Sequence, residues 1–321
     1  MSMLINPFIF QSPEVVCDSF DYVIFASHLT DEFYSYDGSS WTTTSVTTAP
    51  LSMAFNPNSC KLIGPVFNDS IYYGDFVESD GSNSYSINTG PDSTQRYIIE
   101  FSEDLDRWIN FKPSHTTGYY SDDDGDNWTS FTFPSINALN QNGHVWAGGT
   151  IDKYIVSGRV GGGGSQTLLY TSSDGITWTS RTVPSGYDPY NAMAYSPTLD
   201  RIIGIANSAN ASYSDDGINW SGTTAVGSFD TYYGACWASG YDLFLACYNG
   251  GIAYSSDGIS WSAGTGLGGD LYFTITYSPA LDMAFAWNGT TKDIYESSDG
   301  MSWSVSTTAP TNHGFTSVAT R

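Results

Sequence analysis

Every Asp-Gly dipeptide in this 321-residue chain falls on one period. The seven are Asp37-Gly38, Asp80-Gly81, Asp124-Gly125, Asp174-Gly175, Asp216-Gly217, Asp257-Gly258 and Asp299-Gly300. Subtracting neighbouring positions gives spacings of 43, 44, 50, 42, 41 and 42 residues. Six of the aspartates have tryptophan four residues later, at Trp41, Trp128, Trp178, Trp220, Trp261 and Trp303; after Asp80 that place holds Ser84, with Tyr85 next. A period of roughly 40–45 residues is that of a propeller blade, and a chain built this way buries its apolar surface between repeats.

Each repeat also carries an upstream landmark. "AMAYSPTLDRIIGIAN" from Ala192, "TITYSPALDMAFAWNG" from Thr274 and "IIEFSEDLDRWINF" from Ile98 are apolar runs broken by one short polar turn. That pattern is a hairpin. A third short strand precedes each Asp-Gly and a fourth begins at the tryptophan. No long stretch shows the 3.6-residue period of an amphipathic helix. The expectation is an all-β chain, a seven-bladed β-propeller of four-stranded antiparallel blades.

Asp-Gly between two strands marks a tight turn, because glycine accepts positive φ without steric cost. The carboxylate can accept turn N–H groups, and a serine two residues earlier (Ser35, Ser172, Ser214, Ser255, Ser297) can brace the loop. Glu78 and Asp122 stand in the serine place of the second and third copies. The tryptophan offers a large apolar plug between blades. All these roles are structural.

The phrase S-x-D-G-x-x-W resembles the Asp-box (BNR) repeat, in a form one residue shorter than S-x-D-x-G-x-T-W. The resemblance spans about residues 20–321. It implies a propeller whose boxes join the third and fourth strands on the side away from the usual ligand face. Asp37, Asp80, Asp124, Asp174, Asp216, Asp257 and Asp299 would then be structural, with the tryptophans that follow. The short form and the Ser/Thr/Gly-rich blades also resemble propellers of bacteriophage tail and fibre proteins. Sialidases share the box but need three arginines and an early F/Y-R-I-P motif. Here that motif is absent and the first arginine is Arg96. Arg107 and Arg201 take equivalent places after Leu-Asp, which points to a repeated structural use.

Ring closure can be read from alignment on the tryptophans. Phe273 and Phe315 each lie twelve residues beyond one, so "FTSVATR" matches an innermost strand, and "SFDYVIFAS" from Ser19 resumes at the second. The two termini are expected to share one blade; Val15-Val16-Cys17 is the rival source of its inner strand. Residues 1–18 are then an arm, with the propeller over 19–321.

Composition excludes several partners. Lys and Arg number 10 against 33 Asp and Glu, a formal net charge of −23. Phosphate binding needs clustered cations, so neither nucleic acid nor an anionic membrane surface is expected. No apolar run reaches the roughly 20 residues of a membrane span. The start lacks the basic region of a secretory signal, and a virion setting would need none. Cys17, Cys60, Cys236 and Cys247 show no metal-like spacing. Cys236 and Cys247 fall on neighbouring strands, which suits either one bridge or two buried thiols.

No catalytic constellation stands out. His28, His115, His144 and His313 form no recognised motif. "SDDDGDNW" at 121–128 gathers carboxylates but lacks calcium-loop spacing, and the repeat already accounts for Asp124. "GGGGSQ" at 161–166 lacks a phosphate loop's ending and explains the one long spacing. No cofactor and no metal are expected.

The remaining candidates are loops on the face opposite the boxes: Tyr187, Tyr190, Tyr232, Tyr233, Tyr248, Asn249, Trp287, Asn288 and His115. Aromatic rings beside amides suit sugars. The functional expectation is a non-enzymatic virion protein, tail- or fibre-associated, meeting other virion proteins, copies of itself or a host glycan. A stand-alone lectin is the alternative, with a glycan hydrolase behind it.

Overall fold

In the computed structural model the described residues are 98–111, 116–133, 138–160, 166–183, 190–206, 211–223, 232–306 and 315–320, preceded by 23–27, 31–35, 41–45, 53–59, 61–65, 70–75 and 84–89. They contain no helix. The strands fall into seven sets of four, one of the sheets being two blades joined by a single parallel pair, Asn142 with Ala192.

Blade 1 is the closing blade. Its innermost strand is Phe315–Thr320, paired antiparallel with Val23–Ser27, so that Val23 meets Thr320 and Phe25 meets Val318. Asp31–Ser35 and Trp41–Ser45 complete it. The C-terminal segment therefore supplies the inner strand. The arm at 1–18, with Val15 and Cys17, lies outside the described residues.

Blades 2 to 7 follow in chain order, with inner strands Ala54–Asn56, Ile98–Ser102, Ala138–Ala147, Tyr190–Ser196, Tyr232–Ala238 and Tyr272–Ser278. These inner strands touch in cyclic order, and Phe315–Thr320 lies against both blade 7 and blade 2. The ring is closed.

Burial falls from hub to rim. The second strand of blade 6, Leu243–Tyr248, is buried throughout, whereas its fourth, Ser262–Ala263, is exposed. A blade's middle strands are covered on both faces by neighbours, so they are continuously apolar rather than alternating. The core is consequently a series of layers between blades. Ile203 and Ile205 of blade 5 meet Phe244 and Ala246 of blade 6; Leu245 and Cys247 of blade 6 meet Ala286 and Tyr295 of blade 7.

The tryptophans plug these layers toward the preceding blade. Trp178 joins Phe111, Phe131 and Phe133 of blade 3, its ring 4.9 Å from that of Phe133. Trp220, Trp261 and Trp303 do the same one, two and three blades on. Trp303 is the most buried because residues 264–266 cross it: Thr265 N–H donates to Met301 O at 2.8 Å, and Trp303 N–H to Thr265 O at 3.0 Å. Asp37, Trp41 and Asp80 are outside the residues whose side chains are described.

Candidate functional site

The repeated turn is built alike in four blades. In blade 5, Ser214 Oγ donates to Asp216 Oδ1 (3.0 Å) and accepts the Gly217 N–H (2.9 Å). Asp216 Oδ1 in turn accepts the N–H groups of Ile218 and Asn219, each at 2.7 Å. Asp174, Asp257 and Asp299 repeat the pattern. Gly258 shows why glycine follows: φ is +70°, and a Cβ there would lie 2.8 Å from Ile203 of the preceding blade. Burial pushes the Asp216 carboxyl up, but the Asn219 and Ile218 amides outweigh it and hold it at about 2.

Blade 3 corrects the sequence expectation. Asp123, not Asp124, closes the turn: it accepts from Ser121 Oγ (2.8 Å) and from the Asn127 N–H (2.8 Å), while Ser121 Oγ accepts the Gly125 N–H (2.9 Å). The serine is present one place earlier, at Ser121, and this copy is one residue longer. Asp124 is the inserted residue, at φ +59°. Its Oδ1 accepts from Asn56 Nδ2 and from the Trp108 indole, both at 3.0 Å, and Oδ2 lies 3.3 Å from Lys61 Nζ. It ties blade 3 to blade 2. Asp122 makes a third, separate tie to Arg107. Thus the three adjacent carboxylates diverge. Among the described residues, no group of three or more His, Cys, Asp or Glu is placed to hold a metal ion.

Arg107 and Arg201 have one shared use. Arg201 Nε and Nη2 donate to Asp215 Oδ1 and Oδ2 at 2.6 and 2.9 Å, Nη1 reaches the Asp257 carbonyl of the next blade at 2.8 Å, and the guanidinium lies over Tyr213. Arg107 repeats this with Asp122, Asp174 O and Tyr120.

On the opposite face, several expected ligand residues are core. Tyr190 is 0% exposed, Tyr248 2%, Trp287 5% and Asn288 0%. They sit on inner or second strands, where neighbouring blades cover both faces of the sheet. Tyr190 hydrogen-bonds Ser212 through its hydroxyl. Asn288 organises its own loop, accepting the Thr290 and Thr291 N–H groups at 2.8 and 3.0 Å and donating to Asp270 at 3.1 Å. Asn249 is exposed and Tyr233 half-buried. Tyr187, His115 and the Tyr232 side chain lie outside the described residues. What the structure does assemble there is a row across blades 6 and 7: Tyr233 against Phe273 at 4.7 Å, Phe273 against Trp287 at 5.4 Å, and Lys292 Nζ 5.0 Å from the Trp287 ring. Phe273 served in the sequence only to mark the interval of an inner strand, and Lys292 carries no mark there because it does not recur in the repeat.

A cavity of ≈500 Å³ lies on the other side, with the repeated turns. Glu100, Phe101, Glu103, Asp104, Trp146, Gly148, Gly149, Thr150, Tyr195, Pro197 and Asp200 line it. These belong to the inner strands and first turns of blades 3, 4 and 5, and antiparallel alternation puts a blade's first turn at the same end as its third. Ties between blades form its walls. Trp146 Nε1 donates to Asp104 Oδ2 at 3.3 Å, and Glu100 Oε2 lies 3.1 Å from His144 Nε2. The Tyr195 hydroxyl is 2.9 Å from Asp200 Oδ1 and 3.0 Å from the Gly148 carbonyl, and Thr150 donates to Asp200. Burial, then Asp200, raise the Tyr195 hydroxyl well above its ordinary value. The "YSP" before the Leu-Asp of blades 5 and 7 is the signal that could have found this wall: Tyr277 makes the same bond to Asp282, at 2.7 Å.

No protein-family model matches the chain, and no curated protein matches it in sequence. Solved structures do match. A catalytically inactive variant of virginiamycin B lyase from Staphylococcus aureus with quinupristin superposes with a TM-score of 0.65 at 9% identity, over 85% of this chain and 92% of that one. A functionally unknown protein from Desulfotomaculum acetoxidans gives 0.65 at 10% identity, covering 94% and 99%. YCF48 bound to D1 peptide gives 0.61 at 15%, covering 84% and 85%. The fold is that of a β-propeller. At such identities the likeness extends to fold alone, for one of these proteins is a lyase and another binds a peptide.

Proposed function

We propose that the chain is a non-enzymatic binding wheel of a bacteriophage virion, tail- or fibre-associated, which meets a neighbouring protein or a host glycan through its faces. The observation that carries the binding-wheel reading is the destination of its charged groups. The turn carboxylates Asp123, Asp174, Asp216, Asp257 and Asp299 close their own loops, while Asp124, Arg107 and Arg201 join one blade to another. These groups serve rigidity, and a rigid disc is what an assembly or adhesion protein requires. The virion setting rests on the resemblance of the repeat to Asp boxes of tail and fibre proteins.

The half-buried rings of Tyr233 and Phe273, with exposed Asn249 and with Trp287 packed behind Phe273, favour a glycan as one ligand, since rings cover pyranose faces and amides take hydroxyls. A glycan array probed with wild type, Y233A/N249A and D216N decides this. Signal that disappears in the first variant and persists in the second supports it. Turnover of a bound glycan would overturn the non-enzymatic reading, and absence of the chain from purified particles would overturn the virion setting.

A further inference from the structure

We propose that the cavity spanning blades 3, 4 and 5 receives a lysine- or arginine-bearing segment of a partner protein, with the cation among Glu100, Glu103, Asp104 and Asp200 and the stem against Trp146 and Tyr195. This deepens the reading of the chain as a binding wheel and is independent of the virion setting.

The cavity has the size of a ligand site, roughly 300–1,000 Å³, and at ≈500 Å³ it exceeds a single side chain. Its aromatic walls suit an alkyl stem or a guanidinium plane. Four carboxylates line it and no lysine or arginine does. The bonds to Asp104 and Asp200 come from neutral indole and hydroxyl donors, which orient these carboxylates without cancelling their charge. Each carboxylate has several acceptor sites, so capacity for a cation remains.

No lysine or arginine among the described residues lines the cavity, and the cation is assigned to another protein. The chain carries only 10 Lys and Arg. Lys61, Arg107 and Arg201 are held in ties between blades, Lys153 donates to the Ile151 carbonyl, and Lys292 lies over Trp287. A second copy, also at −23, is repelled.

Fluorescence anisotropy with a labelled peptide, acetyl-Gly-Lys-Tyr-Lys-Gly-amide, tests the proposal beside its norleucine counterpart. Wild type binds the lysine peptide and not the norleucine one, and added salt weakens the complex. E100Q/E103Q weakens binding roughly tenfold, two partly exposed ion pairs being lost. D242N/E296Q, which removes equal charge from blades 6 and 7, changes it less than about twofold. P197K places a lysine at the rim and abolishes binding, which keeps the test decisive if E100Q/E103Q fails to fold. Equal loss in the blade 6–7 control, indifference to P197K, or no binding to wild type overturns the proposal, as does displacement by spermidine at a concentration equal to the peptide's. None of those outcomes bears on whether the protein is a particle component or a glycan binder.

Discussion

Arg107 grips Asp122 of its own blade, Nε to Oδ1 at 2.5 Å and Nη2 to Oδ2 at 2.8 Å, and so aims its remaining Nη1 at the Asp174 carbonyl of blade 4, 2.5 Å away. A planar fork does all this at once; an ammonium does not. R107K and R201K should each lower unfolding free energy by about 1–2 kcal/mol, with half-exposed Asp122 and Asp215 moderating the loss. Urea denaturation reads it. An unchanged midpoint in both variants would show the clasps to be ornamental.

Blade 3 allows the roles of adjacent aspartates to be separated. D123N should behave as D216N does, weakening a turn whose acceptor meets two or more donors. D124A should instead uncouple blades, leaving the Trp108 indole N–H and the Asn56 amide without their acceptor, while Lys61 keeps its bond to the residue-124 carbonyl. A double-mutant cycle of D124A with W108F should show coupling of about 0.5–3 kcal/mol, and D123N with W108F little. The reverse ranking would restore Asp124 to the turn.

Acid stability follows from the turn carboxylates. Asp216 sits at about 2 when folded, below its unfolded value of roughly 3.9. A depressed value contributes stability that is complete above pH ~4 and is lost as pH falls toward 2. Asp123, Asp174, Asp257 and Asp299 are lowered as well, chiefly by turn hydrogen bonds set against burial. Unfolding free energy should therefore hold down to about pH 4 and drop between 4 and 2. The same profile for D216N should be shallower there. A wild-type curve that falls already between pH 7 and 5 contradicts this account.

Cys236 and Cys247 are free thiols between blades 6 and 7. Burial pushes Cys247 up to about 12 and Cys236 upward as well. The thiolate is the reactive form. Iodoacetamide at pH 8, followed by peptide mass spectrometry, should modify buried Cys247 only at the rate of unfolding and partly buried Cys236 sooner. Rapid modification of Cys247 in the folded protein would refute its burial.

Much of the wheel was legible because its cause is periodic. Asp-Gly turns recur in all seven copies, the tryptophan four residues on in six, and hairpins such as "SPTLD" in several, and an interaction repeated so often leaves a mark on sequence. Even the closing strand could be found, since Phe315 keeps the interval of Phe273. The αL aspartates Asp106, Asp152, Asp200, Asp242 and Asp282, at φ +47° to +51°, belong to the same readable class. Blade 3 misled because one inserted residue leaves Asp-Gly intact while shifting the partnership from Asp124 to Asp123.

The sequence by itself determined blade number, closure and the masonry of the turns, all of which depend on short-range contacts written into each repeat. Only the tertiary structure decided which side chains are enclosed and which line an open surface or hollow. Tyr248 and Trp287 look like loop aromatics in the sequence, yet neighbouring blades enclose them. Glu100, Trp146 and Asp200 look unremarkable until three blades bring them around one hollow. Burial and concavity are set by residues forty or more positions away, packed face to face around a hub, and no local pattern encodes that distance.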